Sequence, residues 1–160
     1  MSDGNNSLNI FDRILLLKHS QVFSDVSNES LRNVAQHLLE ETYKKGERVF
    51  DINEHGEYMY FIAKGKIGIS IDPDPSVAKF VAELDEGQCF GEMGILDDTP
   101  RSATAHVVEE SVLLVLEKTR LLSLISSHPE LALGMLRSLS ARLRETNQKM
   151  VDAANIRPEN

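Results

Sequence analysis

Between Phe90 and Ala103 the chain reads Phe-Gly-Glu-Met-Gly-Ile-Leu-Asp-Asp-Thr-Pro-Arg-Ser-Ala, a segment rich in residue types that can hold an anion. Gly91 and Gly94 bracket a carboxylate and let the main chain approach an anion closely. The residues between them can wind into a helical turn whose free N–H groups point at that anion. Arg101, which follows Pro100, supplies a planar donor suited to two phosphate oxygens at once. Glu92 cannot bind the phosphate itself; its use in such a site is to accept hydrogen bonds from a sugar hydroxyl. A phosphate combined with a ribose is a nucleotide, and that is the ligand class these spacings suggest.

The segment must be positioned by what flanks it. After a polar start, Ile10, Phe11, Ile14, Leu15 and Leu17 have roughly helical spacing, and Ser27 is a plausible N-cap for a second helix. In that helix Leu31, Val34, Ala35, Leu38 and Leu39 form one buried face, so it is expected to run to about Glu40. From Tyr43 short aromatic and β-branched segments are punctuated by Gly46, Gly56, Gly65, Pro73, Pro75 and Gly87, the rhythm of an all-β sandwich or barrel. Strands are expected at 49–51, 58–63, 66–71, 78–84, 104–108 and 112–117. No long helix separates them, which excludes a parallel βαβ sheet. Helical spacing returns at Thr119, and Pro129 fits the first turn of a last helix. That helix carries Ala132, Leu136, Leu139, Leu143, Thr146 and Met150 in alternating steps of four and three, a stripe that packs either on the roll or on a second copy as a dimer seam.

Composition bounds the partners. The 160 residues suit one domain, and 41% apolar with 26% charged residues is an ordinary globular balance. With 17 basic and 25 acidic residues the net charge is −8, the wrong sign for a surface that coats a nucleic acid. The start is polar and no apolar stretch is long enough to cross a membrane, and a single cysteine, Cys89, suits a reducing compartment. A cytoplasmic location without membrane contact is the expectation. Locally the balance reverses, because 118–150 holds six basic and two acidic residues. A basic helical end could favour an acidic partner.

The segment 90–103 resembles, without a gap, the phosphate-binding cassette of the cyclic nucleotide-binding domain family, with Gly-Glu at one end and Pro-Arg-Ser-Ala at the other. The glycines at 46, 56, 65 and 87 fall where that family's β-roll places its turns, and 58–67 has the look of its central hairpin. The resemblance implies a mainly β fold: an antiparallel β-roll or jelly roll with N-terminal helices, a short cassette helix and a long C-terminal helix. It also implies the ligand-binding residues. Arg101 would pair with the cyclic phosphate, Glu92 would hold the ribose 2′-hydroxyl, and the backbone of Gly91, Met93 and Gly94 would complete the phosphate cradle with Ser102. The run 142–150 resembles the long helix of catabolite-activator-type members, which makes Thr146 and Asn147 readers of the base amino group, the latter across a dimer. By the same resemblance Val81 would be an apolar wall of the base pocket. The expected organisation is a disordered tail at 1–9, a helical segment at 10–42, the roll at 43–117, lid and dimer helices at 118–150 and a tail at 151–160.

The resemblance implies a non-catalytic sensor, an allosteric switch whose ligand is cyclic AMP, favoured by Ser102, or else cyclic GMP. Only ten residues follow Met150, too few for a recognition helix, so a stand-alone sensor or a fragment of a longer protein is expected. Its signal would reach an unknown effector protein through the last or the first helix. The competing reading within the family is an interaction module that keeps the roll and binds no nucleotide. An enzyme reading comes from His55-Gly56-Glu57, which faintly resembles a cupin metal motif. A metal site needs three or four clustered ligands, and His19, His37, His106 and His128 lack that spacing, so no metal is expected. Cys89 is read as a buried structural thiol.

Overall fold

The computed structural model describes residues 7–155. Two helices open it, α1 (Ile10–His19) and α2 (Asn28–Gln36). Asn9 caps α1 by accepting from the Asp12 amide at 2.9 Å, and the Ser27 hydroxyl caps α2 through the Ser30 amide, as its position implied. The strands are β1 (Leu39–Tyr43), β2 (Arg48–Phe50), β3 (Tyr58–Ser70), β4 (Ala82–Leu84), β5 (Cys89–Phe90) and, after the one-turn helix α3 (Met93–Leu96), β6 (Thr104–Glu117). Helices α4 (Lys118–Ser127) and α5 (Glu130–Asn155) close the chain. All six strands form one antiparallel sheet with the path β1-β6-β3-β4, β2 joining β6 and β5 joining β3. This is the antiparallel roll with flanking helices, a short cassette helix and a long C-terminal helix that the resemblance implied, although more of the described residues are helical than strand, so the fold is not mainly β by content.

Several boundaries differ from the sequence reading, for local reasons. Helix α2 stops at Gln36, and Leu39 and Glu40 open β1 instead, because that strand pairs with β6 from Leu39↔Val115 to Tyr43↔Ser111. Sheet pairing outweighs the helical spacing of the two leucines, and Leu39 is exposed. The expected hairpin around Gly65 does not turn back. β3 continues through it, paired with β6 from Tyr58↔Glu117 to Ser70↔Thr104, so the separate strands expected at 104–108 and 112–117 are likewise one. Gly65, at φ +103, lies where the register shifts, and the extra residues bend the ribbon into a roll. A Cβ there would sit 2.1 Å from the Ser111 hydroxyl. The strand expected at 78–84 shrinks to β4. Helix α5 runs through Asn155, five residues beyond the expected boundary. At the other end the Ser7 hydroxyl and the Leu8 amide donate to Glu40 at 3.0 and 2.9 Å and Asn9 caps α1, so residues 7 to 9 of the expected tail are tied down; 1–6 lie outside the described residues, as do 156–160.

Alternation along β3 and β6 builds two cores. Met59 and Phe61 with Leu114 and Leu116 face the helices, meeting Leu17, Phe23, Leu31, Val34, Leu121 and Leu131. Tyr60 and Ile62 with Leu113 and Val115 face the roll interior, beside Ile67, Phe90 and Val107. The helical layer is tied to α5 at Gly134, where an added Cβ would come within 1.7 Å of the Val22 carbonyl oxygen. Arg137 pairs with Asp25 beside this contact, and the Ser30 hydroxyl meets His128 Nδ1 (2.9 Å) and Glu130 (3.1 Å) at the start of α5. An alanine at Gly134 would gain helix propensity but push α5 off the main chain of the α1–α2 connection. Gly134→Ala is therefore expected to destabilise the fold by about 1–3 kcal/mol in urea unfolding; a raised midpoint would contradict this packing.

Candidate functional site

The loop between β5 and β6 turns inward at Gly91, whose φ of +82 suits glycine, and then winds into α3. As the first residues of that turn, Met93 and Gly94 have no acceptor for their amides within the helix. Gly91, Glu92, Met93, Gly94, Arg101 and Ser102 all line one cavity of about 190 Å³. Its opposite wall is apolar, formed by Phe50, Ile69, Ala82, Leu84 and Phe90. Phe80 anchors the approach to β4, with its ring over Gly68 and 5.3 Å from that of His106.

Arg101 is only 4% exposed. Its Nη1 donates to the Gly91 carbonyl and its Nη2 to the Tyr58 carbonyl, both at 2.6 Å. Its main chain is pinned too, the amide donating to Glu54 O (2.7 Å) and the carbonyl accepting from Asn53 N (2.8 Å). Gly56, expected as a turn glycine, provides clearance instead: a Cβ there would lie 2.1 Å from the guanidinium carbon. Burial pulls the guanidinium pKa below its ordinary value, opposed by Tyr60, Glu54 and Glu92, but an arginine stays charged under any ordinary condition. Among the described residues no carboxylate pairs with it, and its Nε has no hydrogen-bond partner.

Glu92 is 2% exposed and its two oxygens differ. Oε1 accepts from Arg142 Nη1 of α5 at 2.5 Å, whereas Oε2 is buried without a partner among the described residues. Arg142 Nη2 also donates to the Cys89 carbonyl. Sequence reasoning missed Arg142 because it followed the other stripe of the helix. The signal was present: Leu131, Met135, Ser138 and Arg142 continue one face in steps of four, three and four, and a basic residue extending a buried stripe calls for a buried acid. A second tie runs from Lys118, the first residue of α4, to Asp98 at 2.9 Å, and holds the Asp98 carboxyl below its usual range.

The structure leaves three expected residues out of the cavity lining. Val81 is half exposed and lies just before β4, outside the lining; Ala82 and Leu84 form that wall. Thr146 and Asn147 are exposed on α5 beyond Arg142, and the Thr146 hydroxyl bonds back to the Arg142 carbonyl at 2.9 Å. The apolar stripe itself is largely unpacked, with Leu136, Leu143 and Met150 all more than 60% exposed. No group of three or more His, Cys, Asp or Glu suited to a metal occurs among the described residues, and none of their helices is long and apolar enough to cross a membrane.

A buried arginine and a half-satisfied glutamate in one cassette within an antiparallel roll define a class of domain, and comparison with known proteins agrees. The family model described as the cyclic nucleotide-binding domain matches residues 40–128, more than half of the chain. The chain belongs to that family. Its relatives include the cyclic AMP receptor protein of Thermus thermophilus, 30% identical over 84% of this chain and 62% of the relative. Another is a cAMP-dependent protein kinase regulatory subunit of Debaryomyces hansenii, 33% identical over 64% of this chain and 22% of the relative. The crystal structure of the Thermus thermophilus catabolite activator protein superposes with a TM-score of 0.74 at 29% identity, covering 84% of this chain and 63% of that one. The chain spans about three-fifths of the length of the bacterial regulators it matches.

Cys89 lies behind the cassette on β5. Burial, reinforced by the negative charge of Glu92, pushes its thiol up to about 12. The thiolate is the reactive form, so Ellman's reagent at pH 8 should leave the folded protein unlabelled and titrate one thiol after unfolding. Rapid labelling of the native protein would show that β5 is open to solvent.

Proposed function

We propose that this domain is a non-catalytic sensor that binds cyclic AMP in the cavity beneath α5 and passes the signal on as an allosteric switch. One observation carries the reading: a buried arginine and a buried glutamate line the same small cavity, and among the described residues the arginine has no carboxylate partner and one glutamate oxygen has no donor. Buried polar groups are rarely left unsatisfied, and these two want an anion and a hydroxyl donor respectively. The cyclic phosphate would meet Arg101, Ser102 and the amides of Gly91, Met93 and Gly94. The ribose 2′-hydroxyl would donate to Glu92 Oε2, and the base would lie on the apolar wall of Ile69, Ala82 and Leu84.

Glu92 would then be shared, its Oε1 held by Arg142 and its Oε2 by the ligand. Any shift of the cassette on binding is thereby felt by α5 through Arg142 and by α4 through Lys118 and Asp98. Coupling of this kind has a scale of about 1–3 kcal/mol. The exposed stripe of Leu136, Leu143 and Met150 is suited to a homodimer seam, and a base contact by Thr146 and Asn147 would need α5 to swing inward or a partner copy to supply it. The effector protein would read α5 or the N-terminal helices packed on it. A specific observation favours the alternative of an interaction module without a nucleotide: Arg101 already spends two N–H groups on main-chain carbonyls.

Calorimetry separates the two readings. Cyclic AMP should bind more tightly than cyclic GMP, and Arg101→Ala should lower affinity at least about a hundredfold, since charge-assisted contacts to a phosphate are among the strongest available. Hydrogen exchange within 131–150 should slow at saturating nucleotide. No heat at millimolar nucleotide would leave the interaction module as the reading, and unchanged exchange in α5 would remove the switch.

A further inference from the structure

We infer that Phe50 is the positioning residue that fixes the anion-binding edge of Arg101, an inference that rests on the nucleotide reading of the same cavity. A guanidinium offers two faces and a planar edge of five N–H donors. The ring of Phe50 covers one face, with the guanidinium carbon 4.1 Å from the ring centroid. Gly56 closes in so tightly that a Cβ would lie within 2.4 Å of the guanidinium carbon, Nε and Nη2. The Gly91 and Tyr58 carbonyls hold one N–H on each terminal nitrogen. In-plane rotation would break both bonds, and tilting would lift the cation off the ring. Three N–H groups have no hydrogen-bond partner among the described residues: the second N–H of each terminal nitrogen and the Nε–H, which is itself fully buried.

The ring is itself held in place. Phe50 lies 5.9 Å from both Tyr60 and Phe90, which stack on each other at 5.1 Å. It ends β2, where the pairing with β6 shifts register between Arg48 and Phe50, an irregularity of the kind that re-aims a side chain. An aliphatic residue would fill the same wall but present no negative π face to the cation. Phe50 thus acts on the phosphate through Arg101, whose guanidinium is paired with no carboxylate among the described residues.

The test uses the whole chain and the variants Phe50→Leu, Phe50→Tyr, Arg101→Lys and Phe50→Leu with Arg101→Lys. Phe50→Leu should raise the cyclic AMP Kd about tenfold, while Phe50→Tyr, which keeps the ring, should stay within about twofold of the parent. In the Arg101→Lys background Phe50→Leu should add little, because the two residues act as a unit. An additive loss would overturn the inference and leave Phe50 as a simple wall residue. A ligand-free readout stands apart from affinity: the ring should displace the Arg101 Nε–H proton resonance upfield, and Phe50→Leu should return it downfield. An unmoved resonance overturns the stack. A parent protein that binds neither nucleotide overturns the sensor reading and with it the role of Phe50, and the resonance then still reports whether the stack exists.

Discussion

Burying a charge without a counter-charge is expensive, and the roll is organised around doing this at Arg101. The guanidinium is held by carbonyl dipoles, an aromatic face and a clearance left by glycine, none of which cancels its charge. Each support comes from a different part of the chain: Phe50 from β2, Gly56 from the following loop, Tyr58 from β3 and Gly91 from the start of the cassette. The roll must therefore be closed for the arginine to be tolerated. Overall negative charge is no obstacle, because at such short range the local cation and the oriented dipoles outweigh distant, solvent-screened carboxylates.

From this centre the ties lead outward. Glu92 reaches α5 through Arg142, Asp98 reaches α4 through Lys118, and α5 meets the main chain of the α1–α2 connection at Gly134. The junction of α4 and α5 is bonded to α2 by the Ser30 hydroxyl, on His128 and Glu130. The helices that precede and follow the roll in the chain are thus one layer bonded to the cassette at its edge. A layer so connected has few independent positions, which is what a two-state element requires.

Much of this was legible in the chain because it rests on local chemistry. The cassette shows its glycines, glutamate and arginine in a single run, and the Ser27 cap and the α3 turn follow from short-range rules. What the sequence concealed was decided at long range. Leu39 fits a helical stripe, yet pairing with Val115 makes it strand. Lys64-Gly65 has the look of a hairpin turn, yet a partner strand on β6 carries the chain straight through a bulge. Arg142 looks like a solvated charge until Glu92 is brought beneath it. Val81 and Ala82 are equally plausible wall residues in sequence, and only the register Ile69↔Ala82 chooses between them.

The long β3–β6 ribbon has a further consequence, for the order in which the chain can assemble. Its pairing is closest in sequence at Ser70↔Thr104 and most distant at Tyr58↔Glu117, and β1 meets β6 from further away still. Closure of the shorter loop costs the least chain entropy, so zipping is easiest from the roll's narrow end towards the helices. The excursion enclosed by that first contact carries β4, β5 and the whole cassette. Once that end is paired, the cassette is already confined within a closed loop of the roll, before the pairs nearest the helices are made.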